Sequence, residues 1–559
     1  MEDWENKTVK EVVTLIHDEN LFVLPVIQRR FVWDDEKMEL LFNSLFKGYS
    51  FGAIIGLEED KHAEPLFAFR KFSNDGTPQN SEEVQQLQHK QFFVIDGQQR
   101  LQTFYIGIYG TWEGKNLYFD LFSDFESNEY EFKFLKPGKE KSFVPSENFW
   151  YSVAKLYVFL SETNDSGKVA DKINAEFDIK DTEKIKLTRR VERNIQHFYQ
   201  RIFNDKTIGI SKVKFDTSKD VTENRQWMVE LFRRLNSEGM RLSTLDLVAS
   251  KLKGFDYRME NFLDDIVEEN KDINLDGDKI VKILLTLTGR PLKDIANLSG
   301  DESNFAIKNS DRIKQTLQAL RIFLQKSGDY NWFASNKNRS PISLYLLAYH
   351  IFYFSERNSI HPLDVVEKSA ENFSNMKKWL KLSWLNGIWR RGCGWTPSEK
   401  GIKELHKELE KFQGKVFPAE ELFNVCIKNL HKFYSTVKEK NLDDFDPDQE
   451  YMLYLMYDGN LSSRRVADHI QPKAKLKEMG KFTIEEINSI ANLERLSSSD
   501  NSKKNDKTLN KWLPQVENQQ EYLSLHLIPE DSNTWIISNF KKFLTERKKL
   551  IAAKINQAL

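Results

Sequence analysis

The chain has 559 residues, of which 40% are hydrophobic and 30% charged, and its formal net charge is −2. This composition excludes a disordered chain, and the length predicts several domains rather than one core. Since no basic field covers the whole chain, any nucleic-acid site must be a local patch. The two cysteines, Cys393 and Cys426, exclude a disulfide framework or a zinc site of several thiolates, so we expect buried free thiols.

The N-terminal stretch and the longest apolar run bear on where the protein is located. The N-terminal stretch MEDWENKTVKEVV lacks the basic start and apolar run of a secretory signal. The longest apolar run, ISLYLLAYHIFYF, is shorter than the ~20 residues of a membrane span. We therefore expect a cytoplasmic protein without a membrane partner, and a buried helix over residues 342–354.

The first hundred residues predict an α/β unit. LFVLP and SFGAIIGLEE have the composition of strands, and DDEKMELLFNSLFKG carries apolar residues at helical spacing and ends at Gly48. The run KQFFVIDGQQRLQTFYIGIYG predicts a strand that ends at Asp96 and Gly97, followed by a helix from about Gln99. A strand, a glycine turn and a helix start therefore lie together.

Helical spacing then dominates from about residue 180 to about residue 435. VERNIQHFYQRIF, ENRQWMVELFRRLN and TLDLVASKLKGF each carry an apolar stripe. The acidic segment KNLDDFDPDQE predicts a linker or loop before the last domain. The final SNFKKFLTERKKLIAAKINQAL predicts a packed helix with lysines on its surface rather than a membrane-surface helix.

The DGQQR stretch is the first polar cluster. Backbone N–H groups at a turn that leads into a helix form an anion site, and Arg100 adds a guanidinium that can hold a phosphate with two hydrogen bonds. Upstream, LPVIQRRFVW offers Gln28, Arg29 and Arg30 to a phosphate or a base. The spacing alone leaves open whether these residues form a nucleotide site or a solvated row of surface arginines.

The second polar cluster lies near the C-terminus, where VADHIQP places Asp468 and His469 at the end of a predicted strand. TIEEINSIA predicts a helix with a capping box of Thr483 and Glu486. Residues 493–496 predict a short second strand or an extended turn. A helix follows whose N-cap is Ser499 or Asp500 and whose first turn contains Asn501. The predicted order is strand, connection, strand and helix.

This set of side chains suits hydrolysis of a phosphodiester. A carboxylate and an amide are hard oxygen ligands for Mg²⁺ or Mn²⁺, and an imidazole with a pKa near ~6.5 can take a proton from water. Lys504 lies one turn beyond Asn501, where it could neutralise a phosphate. Residues 461–515 contain 11 Lys and Arg against 7 Asp and Glu, a net of +4.

The N-terminal segments resemble a known family. LPVIQRRFVW, VIDGQQRL and FRRLNSEGMRLSTLDL are similar to the three signatures of the GmrS-type, ParB/sulfiredoxin-like domain family, although Ile27 replaces its usual tyrosine. The resemblance implies nucleotide hydrolysis and sensing of modified DNA. It assigns catalysis to Asp96, Gln98, Gln99 and Arg100, and binding of a nucleoside triphosphate to Gln28, Arg29, Arg30, Gly97, Arg100 and Asn236.

The C-terminal segment resembles the HNH or His-Me finger nucleases, which have a ββα-metal fold. DHIxP, then NL, then a second Asn and a Lys follow that family's order, with a longer connection than in its compact members. The resemblance implies that His469 is the general base and that Asn492 braces its loop. Lys504 would contact a phosphate, and the metal ligands would be Asp468 and Asn501, with Asn505 as the alternative to Asn501.

The two resemblances together point to the GmrSD-like family of type IV restriction and phage-defence enzymes. They imply a largely helical, multidomain α+β chain: an α/β domain at 1–255, a helical domain at 256–435 and an HNH nuclease domain at 436–559. The implied activity is nucleotide-regulated, metal-dependent cleavage of double-stranded, modified phage DNA. A DNA-binding switch without cleavage and an RNA-cutting toxin stay open, as do the preferred nucleotide and a homodimeric form.

Overall fold

The computed structural model describes residues 2–49, 52–58, 66–77, 86–138, 148–176, 184–214, 218, 220–235, 244–292, 300–445, 450–459 and 466–559. The chain divides into two compact units. The first contains residues 1–261 and 298–303, and the second contains residues 262–297 and 304–559. The predicted multidomain, largely helical α+β fold is confirmed. The predicted division into three domains stays a prediction.

The first unit is built on a six-stranded mixed sheet and a three-stranded antiparallel sheet. Its strands are β1 (Glu2–Lys7), β2 (Phe22–Pro25), β3 (Ile54–Glu58), β4 (Phe69–Arg70), β5 (Phe92–Asp96), β6 (Asn116–Asp120), β7 (Phe132–Leu135), β8 (Trp150–Ser152) and β9 (Ile208–Lys214). Its helices are α1 (Val9–His17), α2 (Asp35–Phe46), α3 (Gln98–Tyr109), α4 (Val153–Thr163), α5 (Ser166–Glu176), α6 (Lys184–Tyr199), α7 (Val221–Leu235) and α8 (Thr244–Phe255). Helix α9 (Met259–Asn270) contains the boundary between the units.

Strand β5 lies inside the larger sheet, whose order is β1-β9-β3-β5-β2-β4. Its sequence FFVID is buried on both faces: Phe92 and Val94 join one hydrophobic cluster, while Phe93 and Ile95 join another. A strand covered on both faces needs this continuous apolar run rather than an alternating one. The predicted strand and the helix after Gly97 are both confirmed, and α3 begins at Gln98.

The pairing of β2 with β5 positions the N-terminal polar cluster. The two strands are parallel, with Phe22 opposite Phe92, so their carboxyl ends lie at the same edge of the sheet. The chain that leaves β2 carries Gln28, and the chain that leaves β5 carries Gly97. Two segments about 70 residues apart in sequence are therefore neighbours at the edge where open α/β sheets bind ligands.

The second unit is almost entirely helical. It contains most of α9 and, in order, α10 (Gly277–Leu287), α11 (Gly300–Lys308, whose first turn belongs to the first unit), α12 (Ser310–Ser327), α13 (Tyr330–Ala334), α14 (Ile342–Arg357), α15 (Pro362–Glu367), α16 (Ala370–Leu385), α17 (Ile402–Glu410), α18 (Ala419–Asn429) and α19 (Glu450–Met456). Its C-terminal part contains β10 (Val466–His469), α20 (Lys473–Glu478), α21 (Ile484–Ile487), β11 (Leu493–Leu496), α22 (Ser498–Lys504), α23 (Leu509–Trp512), α24 (Gln519–Leu525) and α25 (Phe540–Ala558).

Helix α14 contains the apolar run predicted to be a buried helix, and this prediction is confirmed. Its His350 is 3% exposed and shares a 2.8 Å hydrogen bond with Asn372. Burial lowers the pKa of His350 to about 4. None of the described helices combines the length and apolar character needed to cross a lipid bilayer.

The two cysteines are both free thiols, as predicted, but only one is buried. Cys426 lies fully buried in α18, whereas Cys393 is partly exposed. The prediction of burial is therefore wrong for Cys393, which lies in the irregular segment after α16 instead of on an apolar helix face. Helix α25 is packed through Phe540, Phe543 and Ile551, as predicted for the lysine-rich C-terminal segment.

Candidate functional site

The polar residues at the edge of the larger sheet line one cavity of about 280 Å³. The lining residues come from the loop after β2, the end of β5, the start of α3 and the end of α7: Gln28, Arg29, Trp33, Ile95, Asp96, Gly97, Gln98, Gln99, Arg100 and Leu235. The structure thus brings the DGQQR segment and most of the QRR segment together. Arg29 and Arg30 are each partly buried, and Arg30 is not among the lining residues.

The three glutamines of this cavity hold its walls. Gln28, 4% exposed, donates through Nε2 to the carbonyl of Val94 at 3.1 Å and to that of Ile95. Gln98 donates to the carbonyl of Arg29 at 3.0 Å. Gln99 accepts from the backbone N–H of Val32 at 3.0 Å. The loop after β2 is therefore tied to β5 and to the first turn of α3.

Arg100 and Gly97 shape the start of α3. Arg100 donates to the carbonyl of Ala53 at 2.9 Å and to Asp96 at 3.1 Å. Burial lowers the pKa of Arg100, while Asp96 acts in the opposite direction. Gly97 has a φ of +91°, and a Cβ there would lie 2.2 Å from Cδ1 of Ile54. Only glycine fits this turn, and the first N–H groups of α3 have no side-chain cap at Gly97.

Half of the third predicted signature, residues 236–243, falls outside the described residues. Asn236, predicted to bind the nucleotide, lies in that part of the chain. Its preceding neighbour Leu235 is described, ends α7 and lines the cavity. The role of Asn236 stays a prediction.

The C-terminal cluster has the predicted order of elements. Strands β10 and β11 pair in antiparallel fashion, with Asp468 opposite Glu494 and His469 opposite Leu493. Helix α22 follows directly. The connection contains α20 and α21, and α21 has the predicted capping box of Thr483 and Glu486. This part of the chain therefore forms a strand, strand and helix unit.

The start of α22 was predicted two to three residues too late. The N-cap is Ser497, whose Oγ accepts from the backbone N–H of Asp500 at 3.0 Å and donates to its carboxylate at 2.7 Å. Ser499 and Asp500 are inside the helix, so their prediction as N-caps is wrong. Asn501 is the fourth helical residue, and its side chain is partly buried.

Lys504 lies at the centre of the strand and helix unit and has no exposed side-chain surface. Its ammonium group donates to Asp468 Oδ2 and, at 2.6 Å, to the carbonyl of His469. It also lies 3.3 Å from Oε1 of the fully buried Glu494. Because paired strand residues share one face, the two carboxylates flank the same ammonium group. This burial argues against the predicted contact between Lys504 and a DNA phosphate.

His469 is partly buried at the end of β10. Its Nε2 lies 3.2 Å from the side-chain oxygen of Asn488, which assigns the proton of the neutral ring to Nε2. Burial lowers the pKa of His469, with Asn488 acting in the opposite direction. The ring is therefore neutral at physiological pH, and Nδ1 is the nitrogen that can accept a proton.

Asn492 is fully buried and holds the segment that follows His469. Its Oδ1 accepts from the backbone N–H of Gln471 at 2.9 Å, and its Nδ2 donates to the carbonyls of Gln471 at 3.2 Å and Ile487 at 2.9 Å. Its own carbonyl accepts from Ile470 at 2.7 Å. Asn492 thus ties the segment after His469 to the end of α21, and its predicted role in catalysis stays a prediction.

Buried residues that the sequence did not single out also hold the strand, strand and helix unit together. Glu494 accepts from the hydroxyl of Tyr522 at 2.6 Å and lies 3.3 Å from His526. Arg547 of α25 is fully buried and donates to the carbonyls of Ala491 and His526, both at 2.8 Å. A charged residue in a polar segment predicts solvent exposure, so no local pattern indicated these buried positions.

Comparison with known proteins finds a family match for the segment that contains the N-terminal cavity. Residues 9–253 match the family described as GmrSD restriction endonuclease, N-terminal domain. Residues 9–253 form a GmrSD N-terminal domain. This match covers both lining segments of the cavity and supports the resemblance that the QRR and DGQQR segments indicated.

The chain is also similar to the uncharacterized protein MJ0686 of Methanocaldococcus jannaschii. The two are 21% identical over an alignment of 595 positions, which covers 95% of each chain. The similarity therefore extends beyond the GmrSD N-terminal domain into the second unit.

Asp468 and Asn501 carry oxygen donors of the kind that a hard divalent cation accepts. Within the described part of the chain, no hydrogen bond engages Asp468 Oδ1 or the side-chain amide of Asn501, and Asp468 is 26% exposed. Asn505 ends α22 and is exposed. The described residues contain no cluster of three His, Cys, Asp or Glu side chains suited to a metal. A cation here would need water or phosphate as its remaining ligands.

Proposed function

We propose that this chain is a nucleotide-regulated, metal-dependent DNA endonuclease of antiphage defence that works in the cytoplasm. The GmrSD N-terminal domain supports a restriction enzyme. The strand, strand and helix unit that carries His469 supports the cutting chemistry, and it is the observation on which the proposal depends most.

In this proposal His469 is the general base. Nδ1 takes the proton of the attacking water, and the bond to Asn488 keeps the ring in the tautomer that leaves Nδ1 unprotonated. Asn492 fixes the segment after His469, so the imidazole keeps one position during the proton transfer.

Asp468 and Asn501 would hold Mg²⁺ or Mn²⁺ in this proposal. The ion, when bound, supplies positive charge that stabilises the phosphate and the leaving oxygen. Lys504 keeps Asp468 in place through Oδ2 and leaves Oδ1 for the cation. In this role Lys504 positions a ligand and does not contact DNA.

The GmrSD domain would bind a nucleoside triphosphate at the sheet edge. The uncapped N–H groups of α3 and the guanidinium of Arg29 suit the phosphates. Arg100 is already bonded to Asp96 and Ala53, so it would join catalysis by way of Asp96. Hydrolysis and recognition of modified DNA by this domain are part of the proposal, because phosphate contacts alone cannot distinguish phage DNA from host DNA.

A cleavage panel tests the proposal. The purified chain is incubated with Mg²⁺ and with unmodified, hydroxymethylated, glucosylated or phosphorothioated DNA or with RNA, each with and without the four nucleoside triphosphates. We expect cutting of at least one modified DNA that is lost in His469→Ala and retained in His361→Ala, because His361 caps α15 far along the chain from this unit. Unchanged cutting by His469→Ala would refute the assignment.

A DNA-binding switch without cleavage is the second candidate. The observation that favours it is that Lys504 already neutralises part of the charge of Asp468. It predicts nucleotide-dependent retention of DNA and no metal-dependent cutting in the same panel. Cutting of RNA alone would instead identify an RNA-directed enzyme.

A further inference from the structure

One buried oxygen atom in the wall of the N-terminal cavity has no hydrogen-bond partner among the described residues. It is Oε1 of Gln98, a side chain that lines the cavity and is 5% exposed. The other end of the same amide, Nε2, donates to the carbonyl of Arg29 at 3.0 Å. A buried acceptor without a donor destabilises the protein unless something else supplies the donor.

A flip of the Gln98 side-chain amide would not give the unpaired acceptor a partner. A flip would place Oε1 against the carbonyl oxygen of Arg29, so two acceptors would face each other. The carbonyl is itself fixed, because Nη2 of Arg70 donates to it at 3.0 Å and to the carbonyl of Gln28 at 2.9 Å. The acceptor is therefore held in one orientation.

Arg70 is held in turn by a buried ion pair. Its Nη1 lies 2.5 Å from Oε1 of Glu260, and the two side chains are 4% and 1% exposed. Glu260 and Arg70 belong to the same unit. A chain of polar contacts thus runs from Glu260 through Arg70 and the carbonyl of Arg29 to Gln98.

We propose that Oε1 of Gln98 accepts a hydrogen bond from an O–H or N–H group of the bound nucleotide. Gln98 is then a specificity-determining residue, and Arg70 is the positioning residue that fixes its amide. The donor is a ribose hydroxyl or an exocyclic amine of the base. The proposal rests on the nucleotide site proposed above and names what that site selects.

The chemistry of the cavity separates this donor from the phosphates. Phosphate oxygens at neutral pH are acceptors, so they are repelled by Oε1 and attracted to the N–H groups at the start of α3. A nucleotide that lacks the donor leaves Oε1 unpaired in the complex. We expect such a nucleotide to bind about tenfold to a hundredfold more weakly, since an unpaired buried acceptor is costly.

The test measures equilibrium binding of the full chain to matched nucleotides by calorimetry. ATP, GTP, CTP and UTP are compared with their 2′-deoxy and 3′-deoxy forms. To remove the exocyclic amine of the base, ITP replaces GTP and ATP, and UTP replaces CTP. We expect one of these changes to weaken binding to the natural chain by about tenfold or more and to have less than about a twofold effect on Gln98→Met. The change that does so identifies the source of the donor.

Gln102→Met is the matched control. Gln102 is 3% exposed, lies one turn further along α3, bonds the carbonyl of Ser73 and does not line the cavity. It loses a similar buried amide, so it should keep the discrimination of the natural chain. Arg70→Lys keeps a positive charge opposite Glu260 but cannot reach both carbonyls, and we expect it to lose the discrimination as Gln98→Met does.

Three outcomes would overturn the proposal. Equal sensitivity of the natural chain and Gln98→Met to every change would show that Oε1 does not contact the nucleotide. Binding of nucleotide by the natural chain with no sensitivity to any change would do the same without any variant, and would leave the nucleotide site standing. No binding of any nucleotide by the natural chain would remove the nucleotide site and this proposal together.

Discussion

Replacement of Lys504 by Met separates the two roles that this lysine could have. In the structure its ammonium group is buried between Asp468 and Glu494. Methionine keeps most of the volume and removes the charge. Glu494 then remains buried without its cation, a change that typically costs about 3–5 kcal/mol.

The expected effect is local, so hydrogen exchange is the appropriate assay. A loss of about 3 kcal/mol speeds the exchange of amides in β10 and β11 by roughly a hundredfold if the strands open as one unit. Lys503→Met is the control, because Lys503 is exposed in the same helix and its loss should stay within about 0.5 kcal/mol. Glu494→Gln added to Lys504→Met should restore much of the protection.

A phosphate contact would give the opposite pattern. Removal of one such contact reduces the slope of log affinity against log salt by about 0.9 and leaves folding unchanged. If Lys504→Met shows this reduced slope together with exchange equal to that of Lys503→Met, the structural role of Lys504 is refuted.

Single residues in the two candidate sites and in α14 give four more measurable effects. Asn492→Ala removes the brace of the histidine loop, so cleavage should fall by about tenfold or more while DNA affinity measured by fluorescence anisotropy stays the same; equal falls in both would contradict this. Gly97→Ala places a Cβ against Ile54 at positive φ, so thermal unfolding should show that the free energy of unfolding falls by about 1–3 kcal/mol. An unchanged Tm would argue against this strain. His350 is neutral when folded and has a pKa of about 4, so stability is lost as pH falls from ~6.5 towards 4, by about 2 kcal/mol at pH ~5; urea unfolding of His350→Gln should lack this decrease. The lowered pKa of His469 predicts that the cleavage rate rises with pH to a plateau and that the midpoint of this rise lies below ~6.5. A midpoint above that value would contradict the role of His469 as general base.

The sequence predicted the elements whose residues carry their own pattern. The buried strand β5 has a continuous apolar run, and the turn at Gly97 has a residue that tolerates positive φ. Strand β1 was missed because EDWENK has no apolar alternation and is a strand only through its pairing with β9. Strand β9 lies in a region where helical spacing dominates, and the sheet of β6, β7 and β8 was also not predicted.

For the candidate sites, the sequence predicted which residues lie together when they belong to one motif. It did not predict contacts or burial that depend on residues distant in the chain. Asp468 and His469 lie on one strand beside α22, as their spacing indicated. The burial of Lys504 depends on Glu494, which looks like a surface acid in NLERL. Arg70 and Glu260 are 190 positions apart, so no local pattern could have paired them.

The position of Arg547 near the end of the chain affects when the segment before Asn492 can fold during synthesis. Arg547 contacts the carbonyls just before Asn492, yet it is synthesised after every residue of that segment. Domains generally fold as they are translated, from the N-terminal side first. A ribosome-bound chain would thus complete the cavity of the first unit well before the segment that follows His469 is secured.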